Sequence, residues 1–177
     1  MSSFLSFKSI AALFLLSTLS GLVQAQDSSS RTLSKGLTFT SSDSRENQTP
    51  GVFTASCDQK PKSQKACNPY KGDTLCSTSI PLLCILDIDA PVPETIGKPQ
   101  YWTGGILAFS SPVEGEKFSS VSDANAYCEA TFGEYWRVAS YHDGGGGALR
   151  GYGVSQKRAT RFWVDIKDQP EATCWSR

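Results

Sequence analysis

Hydrophobic and polar positions divide the 177-residue chain into stretches of different periodicity. Ile10 to Val23 is apolar except for Ser17, Thr18, Ser20 and Gly21; it follows a single charge at Lys8 and ends in Val23-Gln24-Ala25. A basic start, a short apolar run and a small-residue end predict a secretory signal peptide over residues 1–25, cleaved after Ala25. A membrane anchor needs about 20 apolar residues, and this run is shorter and rich in Ser. Residues 26–50 are Ser/Thr-rich, with Leu33, Leu37 and Phe39 as their few large apolar positions. So little burial cannot offset the entropy of ordering, which predicts a flexible leader with a short strand at Leu37–Thr40.

Beyond residue 50 the pattern becomes that of a folded α+β chain. Ile80–Leu86 is a continuous apolar run, as expected of a buried strand. Pro91, Pro93 and Pro99 make a stiff connector, and Tyr101–Ser110 reads as a second strand. Within Ser120–Gly133, Ala124, Tyr127, Cys128 and Phe132 recur at helical spacing. Ser122 is placed to cap this helix, Asp123 suits its first turn and Gly133 ends it. Tyr135–Ala139 is a short aromatic strand, Gly144–Gly147 must be a loop, and Arg161–Ile166 is the last strong strand. The expected organisation is a disulfide-clamped extension over 51–100 and an α+β unit over 101–177, one main helix on short antiparallel strands.

Cysteine usage fits export. Cys57, Cys67, Cys76, Cys84, Cys128 and Cys174 all follow Ala25, and an even number in an exported chain predicts disulfides. Zinc would need ligand pairs at short spacing, and His142 is the only histidine. The first four cysteines allow three pairings. A nested Cys57–Cys84 around Cys67–Cys76 would clamp the turn formers of Asn68–Asp73. Without Lys8 the chain has 17 − 1 = 16 basic residues against 17 acidic ones. Near-neutrality argues against nucleic acid or an anionic membrane as a partner, and no later stretch is long enough to span a bilayer. Asn47-Gln48-Thr49 matches the N-glycosylation pattern, with Pro50 making it a poor acceptor.

The order of features in the second half resembles the C-type lectin-like fold in its broad bacterial sense. The residues that carry the resemblance are Ala126-Tyr127-Cys128, Trp136-Arg137-Val138-Ala139, Phe162-Trp163-Val164 and Cys174-Trp175. It covers Tyr101–Arg177 and is closest to a group of exported bacterial proteins without an assigned activity. The resemblance implies a Cys128–Cys174 bridge, whose closed loop would contribute about 4 kcal/mol in the chain-entropy model. It also raises calcium as a cofactor. Gln169-Pro170-Glu171 is similar to the polar-Pro-polar triplet of sugar-binding lectins. It lies after the Trp strand and close to Cys174, so a turn fixed by Pro170 is its expected role.

No catalytic set is assembled. Asp87 and Asp89 would share one face of a strand, most simply as its solvated end. His142-Asp143 before four glycines could act as a base and its orienting acid, but no nucleophile accompanies them. Of the aromatic pairs Tyr101-Trp102, Tyr135-Trp136 and Phe162-Trp163, strand alternation sends one member to the core and the other outward. These features predict a non-catalytic exported module that binds a carbohydrate or a protein ligand. The loops around His142–Gly153 would form its site, with Tyr141, His142, Asp143, Arg150 and Tyr152 as contacts and no metal. Two other classes fit the same residues: an envelope inhibitor or immunity-type protein, and a small hydrolase using His142.

Overall fold

A computed structural model describes residues 34–41, 49–57, 67–97, 99–153 and 161–175. The expected signal peptide, and Asn47-Gln48 of the glycosylation pattern, lie outside these residues. The strands are β1 (Lys35–Gly36), β2 (Thr38–Ser41), β3 (Val52–Ser56), β4 (Thr74–Leu75), β5 (Ser79–Ile80), β6 (Leu83–Asp87), β7 (Trp102–Phe109), β8 (Val113–Glu114), β9 (Trp136–Val138), β10 (Ala148–Gly153) and β11 (Arg161–Trp163). One α-helix among the described residues, α1 (Val121–Phe132), packs on them. The class is α+β with a mostly antiparallel sheet.

Seven strands form the main sheet in the order β11-β2-β3-β10-β7-β6-β9. Every pair is antiparallel except β10 with β7. Just past the ends of β9 and β11, the two edges meet. The Asp165 amide donates to Ala139 O at 2.9 Å and the Tyr141 amide donates to Asp165 O at 2.7 Å. Nearby, the Trp163 amide donates to Pro81 O at 2.9 Å. The sheet therefore curls on itself, and backbone groups that an open edge would leave unpaired are satisfied.

Curling gives the strands two apolar environments. Leu37, Phe39, Phe53, Leu83, Ile85, Leu149, Phe162 and Val164 fill the inside. Leu82, Cys84, Val138, Trp163 and Trp175 pack outside with Ala124 and Cys128 of α1. Successive residues of a strand point to opposite faces. A strand with core on both sides must therefore be apolar throughout, which explains the unbroken run at Ile80–Leu86. It also explains why Phe162 and Trp163 are both buried instead of one facing solvent.

Three expectations are corrected. The short strand expected at Leu37–Thr40 is present as β2, but it is not part of a flexible leader: it lies between β11 and β3, and Leu37 and Phe39 are fully buried. Those two apolar residues suffice because the rest of the core surrounds them. The helix cap is Ser120, not Ser122. Ser120 Oγ accepts from the Asp123 amide and Asp123 Oδ2 accepts from the Ser120 amide, a reciprocal capping box. Residues 148–153, expected to be loop, form interior strand β10. Two glycines hide its strand character, and a Cβ on Gly151 would come within 2.7 Å of Gly105 O.

The pairing of cysteines is also corrected. The bridges are Cys57–Cys67, Cys76–Cys174 and Cys84–Cys128, in place of Cys57–Cys84, Cys67–Cys76 and Cys128–Cys174. Cys128 does face the core, but β6 lies beneath α1 and presents Cys84 there. Cys174 instead meets Cys76, packed beside Gly36 and Gly115. The turn at 68–74 is held without a bridge across it. Asp73 accepts from the amides of Asn68 and Thr38, from the hydroxyls of Thr38 and Thr74, and from Arg161 Nη1 at 2.9 Å.

Sequence separations of 10, 44 and 98 residues rank the bridges. Removing them should cost about 2.7 kcal/mol for Cys57–Cys67, about 4.0 for Cys84–Cys128 and about 4.7 for Cys76–Cys174. Urea denaturation of paired Cys→Ser variants measures this order; a chain that tolerates loss of Cys76–Cys174 best would contradict it.

Candidate functional site

The place where the sheet closes is also where polar side chains gather. Val138 and Ser140 lie two apart in the segment that leaves β9, and Asp165 and Lys167 lie two apart in the segment that leaves β11. Each pair points to the outer face by strand alternation. Val121 and Asn125, four apart on α1, share one helical face above them. With Arg137 these residues line a pocket of about 220 Å³.

Arg137 forms one wall. Its Nε and Nη2 donate to Asp87 Oδ2, at 3.0 and 2.8 Å. Its Nη1 donates to Val138 O and to Asp143 Oδ2, and Nη2 also to Asp143 Oδ1. A guanidinium has five N–H donors, and these five bonds use all of them. Burial alone would lower the Arg137 pKa, but the hydrogen bonds and charges of Asp143 and then Asp87 outweigh it, so the pKa is raised. The stabilisation from a raised pKa is complete below the ordinary arginine value and is lost only as pH climbs through the higher folded value. Arg137 therefore stays charged across the working range.

Beneath the pocket, Ser140 is 1% exposed and its Oγ has no hydrogen-bond partner among the described residues. Asp165, also buried, accepts from Trp175 Nε1 at 3.0 Å. Asn125 Oδ1 accepts from the Val138 amide at 3.0 Å, fixing the helix to β9. Lys167 stands exposed at the mouth and takes part in none of the ion pairs among the described residues.

The residues expected to bind ligand are placed around this pocket and away from it. Asp143 does not orient His142. It is 9% exposed in its side chain, bonded to Arg137, and accepts from the Ser140 amide at 2.7 Å. His142 instead faces Asp168, with Nε2 3.6 Å from its carboxylate. Tyr141 is half-buried, edge-on to Phe39. Arg150 is 5% exposed, donating from Nη1 to Gly97 O, so it is not a surface contact. Tyr152 is exposed and stacks edge-on against Trp102. Structure brings Tyr141, His142 and Asp143 to the closure and leaves Arg150 and Tyr152 on β10.

Two of the four glycines serve packing, and Gly146 and Gly147 take positive φ. A Cβ on Gly144 would lie 2.8 Å from Tyr101 O and one on Gly145 2.7 Å from Gln100 O, and Gly145 has φ +73°. Asp89, expected to share a strand face with Asp87, lies past the end of β6 with φ 50°. Pro170 begins a 3-10 turn over Pro170–Ala172, and no cluster of metal-ligating side chains occurs among the described residues. Pairing across the chain, which sequence does not display, assembled Arg137, Ser140 and Asp165. One signal was present: Asp165 is a lone acid within the apolar run Phe162–Ile166.

No protein family, curated protein or solved structure matches the chain. Three disulfides fit an oxidising compartment, and among the described residues no helix is long and apolar enough to cross a membrane.

Replacing Arg137 by Met should lower stability by about 3 kcal/mol, the lower part of the range for stripping a buried carboxylate of its partner. Thermal or urea unfolding checks it. A loss well under 1 kcal/mol would mean that Asp143 is solvated rather than dependent on Arg137.

Proposed function

We propose that the protein is an exported, non-catalytic binding module whose pocket at the sheet closure takes one sugar ring of a carbohydrate. The observation that carries this reading is the pocket itself: small, lined by both polar and apolar side chains, and including Ser140, whose buried hydroxyl has no hydrogen-bond partner among the described residues. Buried polar groups are nearly always bonded, and exceptions call for an explanation. A ligand hydroxyl reaching the floor supplies one. At about 220 Å³ the pocket is below the roughly 300–1,000 Å³ usual for drug-sized ligands, which favours a single ring over a larger molecule.

Its lining suits hydroxyl groups, each of which donates and accepts. Asp165 is an acceptor, the Asn125 amide and Lys167 are donors, and Ser140 is both. Val121 and Val138 add apolar surface for the C–H face of a ring. The resemblance of residues 101–177 to lectin-like sequences supports the same reading, although the bridge it implies is absent. Catalysis is disfavoured because every cysteine is oxidised and His142 is directed at Asp168 rather than at a nucleophile.

A second reading, an interaction protein that blocks a partner, draws on one feature. Tyr135 is 83% exposed at φ 70°, next to the stacked pair Phe132 and Trp136. A large aromatic displayed this way suits a protein interface.

A glycan array probed with the oxidised chain, with calcium and then with chelator, tests the sugar reading. Calcium-independent binding is expected, and a blank array would move the case to a protein partner. Ser140→Ala separates structure from function. Removing an unpaired buried hydroxyl should leave stability unchanged or raise it by up to about 1 kcal/mol. The same change should weaken glycan binding by roughly 2–10-fold, one hydrogen bond's worth.

A further inference from the structure

The pocket is charged unevenly from floor to mouth. Asp165 lies in the floor, buried. Lys167, two residues further on the same face, is exposed at the mouth. Arg137 is the other cation of the wall, but Asp87, Asp143 and Val138 O take all five of its donors. Of the two cations in the lining, Lys167 is therefore the one with donors left for a negative group on a ligand.

The hydrogen-bonding capacity left in the pocket has the same bias. The Asn125 amide uses its oxygen on the Val138 amide, and its N–H2 makes no hydrogen bond among the described residues. The Lys167 ammonium has three donors and no ion-pair partner there. One Asp165 oxygen is already committed to Trp175. The Asn125 N–H2 and the Lys167 ammonium are thus donors of the lining left for a ligand, and the positive charge among them sits at the rim. A neutral sugar would leave that ammonium without a partner of its own.

We propose that the pocket selects an anionic sugar, seated with ring hydroxyls toward Ser140 and Asp165 and its carboxylate or sulfate group on Lys167 Nζ. The proposal rests on the sugar reading above. Orientation follows from electrostatics: Asp165 repels the anionic group from the floor, and Lys167 attracts it at the mouth. Lysine acts as a point charge without the planar fork of arginine, so carboxylate and sulfate share the chemistry, and the ligand panel separates them.

The experiment is titration calorimetry of the full oxidised chain with three matched oligosaccharides: neutral, uronate-containing and sulfated. The expected result is a preference of about tenfold for an anionic member over the neutral one, the lower end of the worth of a charge-assisted hydrogen bond. The preference should shrink as salt is raised. In K167M the ratio of anionic to neutral affinity should fall to near one. Lys167 is exposed, and an unchanged melting temperature will confirm that the variant folds. Neutral and anionic ligands binding equally, or K167M keeping the preference, overturns this inference and leaves the sugar reading standing. Absence of binding to all three overturns both.

Discussion

Backbone bonding between the segment after β9 and the segment after β11 is the constraint on which the rest depends. The exchange of bonds between Asp165 and both Ala139 and Tyr141 turns a seven-stranded sheet with two edges into a nearly closed surface. Phe39, Leu83, Leu149 and Phe162 are thereby shut inside. The same few bonds set the register that sends Val138, Ser140, Asp165 and Lys167 outward under α1. A slip of one residue in either segment would exchange inner and outer faces, putting Asp165 in the core and Val164 or Ile166 in the pocket. Fold and site thus have one geometric origin.

Electrostatics reinforces that register. Asp143 binds Arg137 with its carboxylate and also accepts from the Ser140 amide, so it fastens the turn to β9. Arg137 reaches from β9 to Asp87 at the end of the neighbouring β6. The short peptide that carries Ser140 is held from both sides.

Local signals in the sequence were reliable where the chain makes its own contacts. The helix over 121–132 declared itself through the spacing of Ala124 and Cys128, and Trp102–Phe109 and Leu83–Asp87 through their apolar density. Sequence was silent where a partner far along the chain decides. Leu37 and Phe39 look isolated in a polar stretch, and only β3 and β11 on either side make them core. Ala148–Gly153 lacks strand formers, and its place between β3 and β7 overrides that weakness. In the site, His142 and Asp143 stood out as unusual neighbours, whereas Ser140 and Lys167 have no local mark at all. Their significance comes from facing each other across two strand extensions nearly thirty residues apart.

The connectivity of the bridges bears on how such a chain is made. Cys84–Cys128 is nested inside Cys76–Cys174, while Cys57–Cys67 joins neighbours. A chain that enters an oxidising compartment from its N-terminus exposes Cys76 and Cys84 together, long before Cys128 and Cys174 arrive. Pairing in order of arrival would join them wrongly. Reaching the native set then requires exchange through mixed disulfides, in which a free thiolate attacks and displaces one sulfur of the mistaken bond. For a chain with this connectivity that is oxidised as it enters such a compartment, maturation would draw on isomerase capacity, and a host that oxidises quickly but reshuffles poorly would accumulate the misbridged form.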